Sequence, residues 1–179
     1  YPNNCGELFD CGECGNGGTC LGFDCICPDD RFDEEARNDT AATATDLGET
    51  PDAPDSEVNI RALSINSDED VDWYTFQAVD AWDFGSPHVT VELTTGDDVD
   101  DWDSWYQVTV WFNCDSGTNA EASCDRGTVS PETTHGVGCA SQGRHYAMIE
   151  FSSDCEGTMD DSVTGLIRVQ KLVRQGRCG

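Results

Sequence analysis

Lysine is almost missing from this chain. Of 179 residues only Lys171 is a lysine, and Lys and Arg together number 9 against 36 Asp and Glu. A formal net charge of −27 repels phosphate backbones and anionic lipid, so nucleic acid and anionic membranes are poor partners. Methionine is down to 2 and strong helix formers are scarce, which favours short strands and turns. No apolar run approaches the roughly 20 residues that span a bilayer. His88, His135 and His145 are scattered, none in H-E-x-x-H, and no G-x-S-x-G occurs. Residues 114–117 read C-D-S-G without the glycines and proline that would frame a serine-protease nucleophile. Carboxylates are too abundant for any pair to mark a glycosidase site. The chain is therefore read as non-enzymatic.

Acid and cysteine are present in excess. Eleven cysteines in 179 residues require either metal clusters or disulfides. The only C-x-x-C, residues 11–14, has no second pair at zinc-finger spacing. Disulfides in an oxidising compartment follow, and the chain reads as a secreted, extracellular product whose leader has been removed.

The densest acidic signal is DEDVDWYTF over residues 68–76. Side chains alternate along an extended backbone, so Asp68, Asp70 and Asp72 share one side. Like charges so placed repel unless a cation sits between them, and oxygen-only ligands select a hard one such as Ca²⁺. Trp73, Tyr74 and Phe76 would then anchor the carboxylates to a core. The competing reading is a solvated acidic turn.

Short alternating runs predict an antiparallel β-sandwich. Val58/Ile60 and Leu63/Ile65 form one broken run. His88–Leu93 and Gln107–Phe112 form two clean ones, and Tyr146–Phe151 and Gly165–Val169 supply closing strands. Residues 29–57, acidic and then rich in Thr, Ala and Pro, read as a linker into a domain edge followed by a loop. The segment 96–106 interleaves five aspartates with Trp102 and Trp105, either as a second calcium site, as a sugar-stacking surface or as a solvated loop.

Residues 1–28 hold Cys5, Cys11, Cys14, Cys20, Cys25 and Cys27, too short a segment to fold without staples. Six cysteines allow fifteen connectivities. The run C-G-N-G-G-T-C at 14–20, followed by C-I-C-P at 25–28, resembles an epidermal-growth-factor-like module. The resemblance implies Cys11–Cys20 and Cys14–Cys25. No cysteine follows Cys27 until Cys114, which leaves Cys27 to pair back to Cys5.

A second resemblance starts at Glu34-x-x-x-Asn38-Asp39 and runs through D-L-G at 46–48, D-V-D-W-Y-T-F at 70–76 and the two closing strands. Together these look like the bacterial pre-peptidase C-terminal domain over about residues 34–174. It implies an all-β, jelly-roll-like sandwich with calcium near its amino-terminal edge and no catalysis of its own. Carried over by position, the ligands are Glu34, Asn38, Asp39, Asp70 and Asp72, with Asp68 as an extra. The domains are thus a disulfide-rich module over residues 1–30 and a disulfide-stapled sandwich over 31–179.

Local pairing of the later cysteines predicts Cys114–Cys124 and Cys139–Cys155, leaving Cys178 for an intermolecular bond or a free thiol. Residues 162–179 contain no acid but carry Arg168, Lys171, Arg174 and Arg177. Such a tail either docks on its own acidic body or on another copy. Two roles are compatible with these features. One is a calcium-binding, self-associating structural protein such as a fibre or surface-layer subunit. The other is a module that binds a glycan or protein surface.

Overall fold

The computed structural model describes residues 19–21, 24–26, 30–35, 37–51, 53, 56–61, 63–65, 70–80, 87–94, 105–119, 123–132 and 134–172. The side chains of residues 19–21, 24–26, 34 and 35 are outside that description. Also outside it are Cys5, Cys11, Cys14, Cys27, Cys178, Asp68 and residues 95–104, so the calls made on them are not addressed. Among the described residues no helix is long and apolar enough to cross a membrane.

In chain order the elements are β1 (Thr19–Leu21), β2 (Asp24–Ile26), α1 (Arg31–Glu35), a 3-10 turn at Ala41–Thr43, β3 (Thr45–Pro51), β4 (Val71–Val79) and β5 (His88–Thr94). There follow β6 (Trp105–Cys114), β7 (Thr118–Asn119), β8 (Cys124–Arg126), β9 (Thr128–Val129), β10 (Val137–Gly143), β11 (Tyr146–Ser152), β12 (Cys155–Glu156) and β13 (Val163–Leu172). The expected all-β class holds. A six-stranded sheet runs β3-β4-β13-β6-β10-β9, and a three-stranded sheet runs β5-β11-β8. β1 and β2 form a separate hairpin in which Cys20 faces Cys25 across the ladder.

Binary patterning explains why the two sheets face each other. Val163, Ile167 and Val169 of β13, Val108, Val110 and Phe112 of β6, and Tyr74, Phe76 and Ala78 of β4 all point inward. They meet Ala147, Ile149 and Phe151 of β11, and the Phe112 and Phe151 rings stack at 4.5 Å. Gly165 fits this face because a side chain there would run into the Phe76 ring.

Period two alone misses the outer face of the large sheet. Trp73 and Trp111 point away from the core and yet are 8% and 0% exposed. Their indoles stack at 5.6 Å beside Glu132 and His135. His135 meets both edge-on, and the Trp111 Nε1 donates to the Glu132 carbonyl at 2.8 Å.

Four expectations need correction. The disulfides are Cys114–Cys155 and Cys124–Cys139, not Cys114–Cys124 and Cys139–Cys155. Cys124 lies on β8 and Cys139 on β10, so that bond ties the two sheets face to face (Cα–Cα 5.9 Å). β12 pairs with β7 just beyond the end of β6, which carries Cys155 to Cys114. Sheet packing, not distance along the chain, selects the partners.

The sheet is also not purely antiparallel. Residues 45–51, read as part of a linker and loop, form β3, which lies parallel to β4. A bulge between Asp46 and Glu49 is turned by Gly48 at φ 81°, where the Asp46 carboxylate accepts the Gly48 amide. Conversely, residues 56–61 and 63–65 form no strand. Ile60, Leu63 and Ile65 still pack on the core. The Ser64 amide donates to the Asp30 carboxylate at 3.0 Å rather than to a neighbouring strand. Finally, a one-turn helix, α1, stands where the sequence suggested only irregular chain.

Candidate metal centre

Strand β4 begins at the rim of the core, and its inward-facing row continues outward from Tyr74 through Asp72 to Asp70. Alternation therefore delivers Asp70 and Asp72 to the same side. Asp33 comes to them from α1, and one oxygen of each of the three carboxylates lies within 4.8 Å of the others. Oxygens no more than 4.8 Å apart are close enough for one metal ion to touch all three.

Helix α1 is placed by a capping box. Asp30 Oδ1 accepts the Phe32 amide at 2.7 Å and the Asp33 amide at 3.4 Å, while Asp33 Oδ2 accepts the Asp30 amide at 3.1 Å. Phe32 then packs edge-on against Tyr74, with ring centroids 5.7 Å apart. Residue 38 is fixed from the other side, because its carbonyl accepts the Trp73 amide at 2.8 Å.

The site is buried and incompletely satisfied. Asp72 is 1% and Asn38 0% exposed. The Tyr74 hydroxyl donates to Asp72 Oδ2 at 3.2 Å, but Asp72 Oδ1 and both polar atoms of the Asn38 side chain have no hydrogen-bond partner. Asn38 lies close enough to the Tyr74 hydroxyl to favour its ionised form, without a bond of ordinary geometry. Buried polar groups are nearly always paired, so orphans on two adjoining residues mark a place where another partner belongs.

Electrostatics agree with the geometry. Burial, then the charges of Asp70, Asp30 and Asp33, pushes the Asp72 carboxyl up to about 7, against a smaller lowering by Tyr74. Burial and the Asp72 charge also push the Tyr74 hydroxyl well above its usual range. A cation among these oxygens would offset each of those repulsions.

The sequence-read ligands divide clearly. Asp70 and Asp72 come together as expected, and Asn38 is held to the same strand through its carbonyl and lies near the Tyr74 hydroxyl. Asp39 stands apart, exposed, with its carboxylate 4.0 Å from Arg37. Glu34 lies on α1 with its side chain outside the described residues, and Asp68 is outside them altogether. Asp33 was missed, although D-x-x-D at residues 30–33 is a readable helix-start signal. Burial of Asn38 also closes the N-D-T sequon at residues 38–40 to a glycan in the folded chain.

Comparison with family models, with curated proteins and with solved structures gives no match for this chain. The reading of the site therefore rests on its own residues.

Proposed function

We propose that this chain is a secreted, non-catalytic, calcium-binding structural protein whose ion fastens the entrance of the sandwich. The cation is held by Asp33, Asp70 and Asp72 with Asn38 as a neutral oxygen ligand, and it joins α1 and the 37–39 segment to β4. The carrying observation is the set of buried polar atoms without partners, Asp72 Oδ1 and the Asn38 amide. Carboxylate and amide oxygens without histidine or thiolate favour a hard ion over zinc or copper. The two disulfides belong to an oxidising environment, where millimolar-range calcium sites are useful. Self-association through the termini is supported by the charge split along the chain and by Cys178. Size measurement in calcium, with and without reductant, reads it out.

The fastening role is tested by thermal unfolding of chelator-treated protein. Calcium at about a hundred times its Kd should stabilise the wild type by about 2.7 kcal/mol. Asp70→Asn with Asp72→Asn should abolish that shift. An equal shift in the double variant would remove the site.

A further inference from the structure

We infer that Asp30 is the positioning residue of the cation site: it does not touch the ion but holds Asp33 where Asp70 and Asp72 can share it. The inference rests on the calcium reading above and adds what sets the affinity. Asp30 is 6% exposed, and both of its oxygens are committed to backbone amides. Oδ1 takes those of Phe32 and Asp33, and Oδ2 takes that of Ser64, 34 residues along the chain. Its carboxylate thus ties together the start of α1 and the irregular segment that carries Leu63 and Ile65 onto the core.

This matters because α1 is 5 residues long and cannot hold itself as a helix. What fixes the direction of Asp33 is the reciprocal cap with Asp30 and the packing of Phe32 on Tyr74. The second of these also involves a ring whose hydroxyl bonds Asp72. Asp30 and Tyr74 therefore orient two different ligands from behind, as outer-shell partners do at metal sites. The buried Asn38 amide and Asp72 Oδ1 are both without partners, as groups awaiting a ligand would be.

The test is calcium binding by calorimetry to chelator-treated wild type, Asp30→Ala and Asp30→Asn. Intact Cys114–Cys155 and Cys124–Cys139 and an unchanged β-sheet circular-dichroism spectrum serve as the check on folding. Asp30→Ala should still bind one ion at the site, about tenfold more weakly. Asp30→Asn should bind more tightly than Asp30→Ala, because its amide oxygen still caps the Phe32 and Asp33 amides, although its NH2 group cannot accept the Ser64 amide. Wild-type affinity in Asp30→Ala would overturn the inference, and so would an Asp30→Asn as weak as Asp30→Ala, which would make Asp30 a ligand or a charge. Should Asp30→Ala not fold, Asp30→Glu replaces it, keeping the charge but displacing the cap. Tighter binding by Asn than by Glu supports positioning, and the reverse order overturns it. A wild type that binds no calcium would remove the cation reading itself, a result distinct from all of these.

Discussion

Two neighbouring residues of β4 lead into two buried polar regions that solve the same problem differently. Asp72 turns inward to the carboxylate mouth, and Trp73 turns outward to the cluster with Trp111, His135 and Arg168. In the outer cluster the charge is the partly buried Arg168. It sits 5.5 Å from the Trp73 ring centre and 5.0 Å from that of Trp111, and its guanidinium reaches Glu132 at 3.0 Å. Only its Nε lacks a hydrogen bond. A counter-charge and two aromatic faces come from within the chain. At the mouth, Asp72 meets Asp70, Asp30 and Asp33, all of its own sign, and keeps an orphaned oxygen. One region pairs its charge within the chain, apart from Arg168 Nε; the other gathers carboxylates of like sign. On the proposed reading, the difference separates a charge that serves the fold from one arranged for something outside the chain.

The largest effect should come from breaking the internally paired region. Trp111→Ala removes a fully buried indole and should cost about 3–5 kcal/mol in urea unfolding. The calcium-induced stabilisation should stay the same, because the cluster lies on the opposite face from the mouth. A lost calcium response in a still-folded Trp111→Ala would show that the regions are coupled and that the contrast drawn here fails.

Next comes the bond between the sheets. Cys124→Ser with Cys139→Ser opens a loop of 15 residues and should cost about 3 kcal/mol. Peptide mapping of the unreduced protein should recover Cys124 with Cys139 and Cys114 with Cys155. Recovery of Cys114 with Cys124 would contradict the packing of the sheets.

A smaller effect concerns pH. The Asp72 pKa is raised from 3.8 to about 7 in the folded chain without an ion, so the native state binds the proton more tightly than the unfolded one. Stability from this group is present below about pH 4 and is lost as pH rises through about 7. Thermal midpoints of chelated protein should carry that downward contribution across the window, and calcium should oppose it. Asp72→Asn should remove the pH dependence and, above pH 7, stabilise chelated protein by about 1 kcal/mol, since it deletes an unpaired buried charge. A chelated Asp72→Asn less stable than wild type above pH 7 would mean that the charge is already compensated.

Much of this contrast was readable before folding was considered. The period-two rule placed Asp70 and Asp72 on one side and found the main strands, because it depends only on local backbone geometry. It failed at Trp73 and Trp111, where a loop covers the second face and turns an expected solvent side into interior. Asp33 was hidden for a different reason. Its place depends on a five-residue helix held by Asp30 and by packing on Tyr74, which is tertiary information. The parallel strand β3 hid behind Gly, Pro and Thr, which composition reads as loop. The disulfide partners were decided by how two sheets face each other, and spacing along the chain carries no record of that.

The central claim is tested most directly by calorimetric titration of chelator-treated protein with calcium, comparing wild type with Asp70→Asn, Asp72→Asn. The wild type should show one ion bound at this site with a Kd of roughly 10⁻⁴ to 10⁻³ M, and the double variant should lack that binding. Identical isotherms for the two proteins would contradict the account.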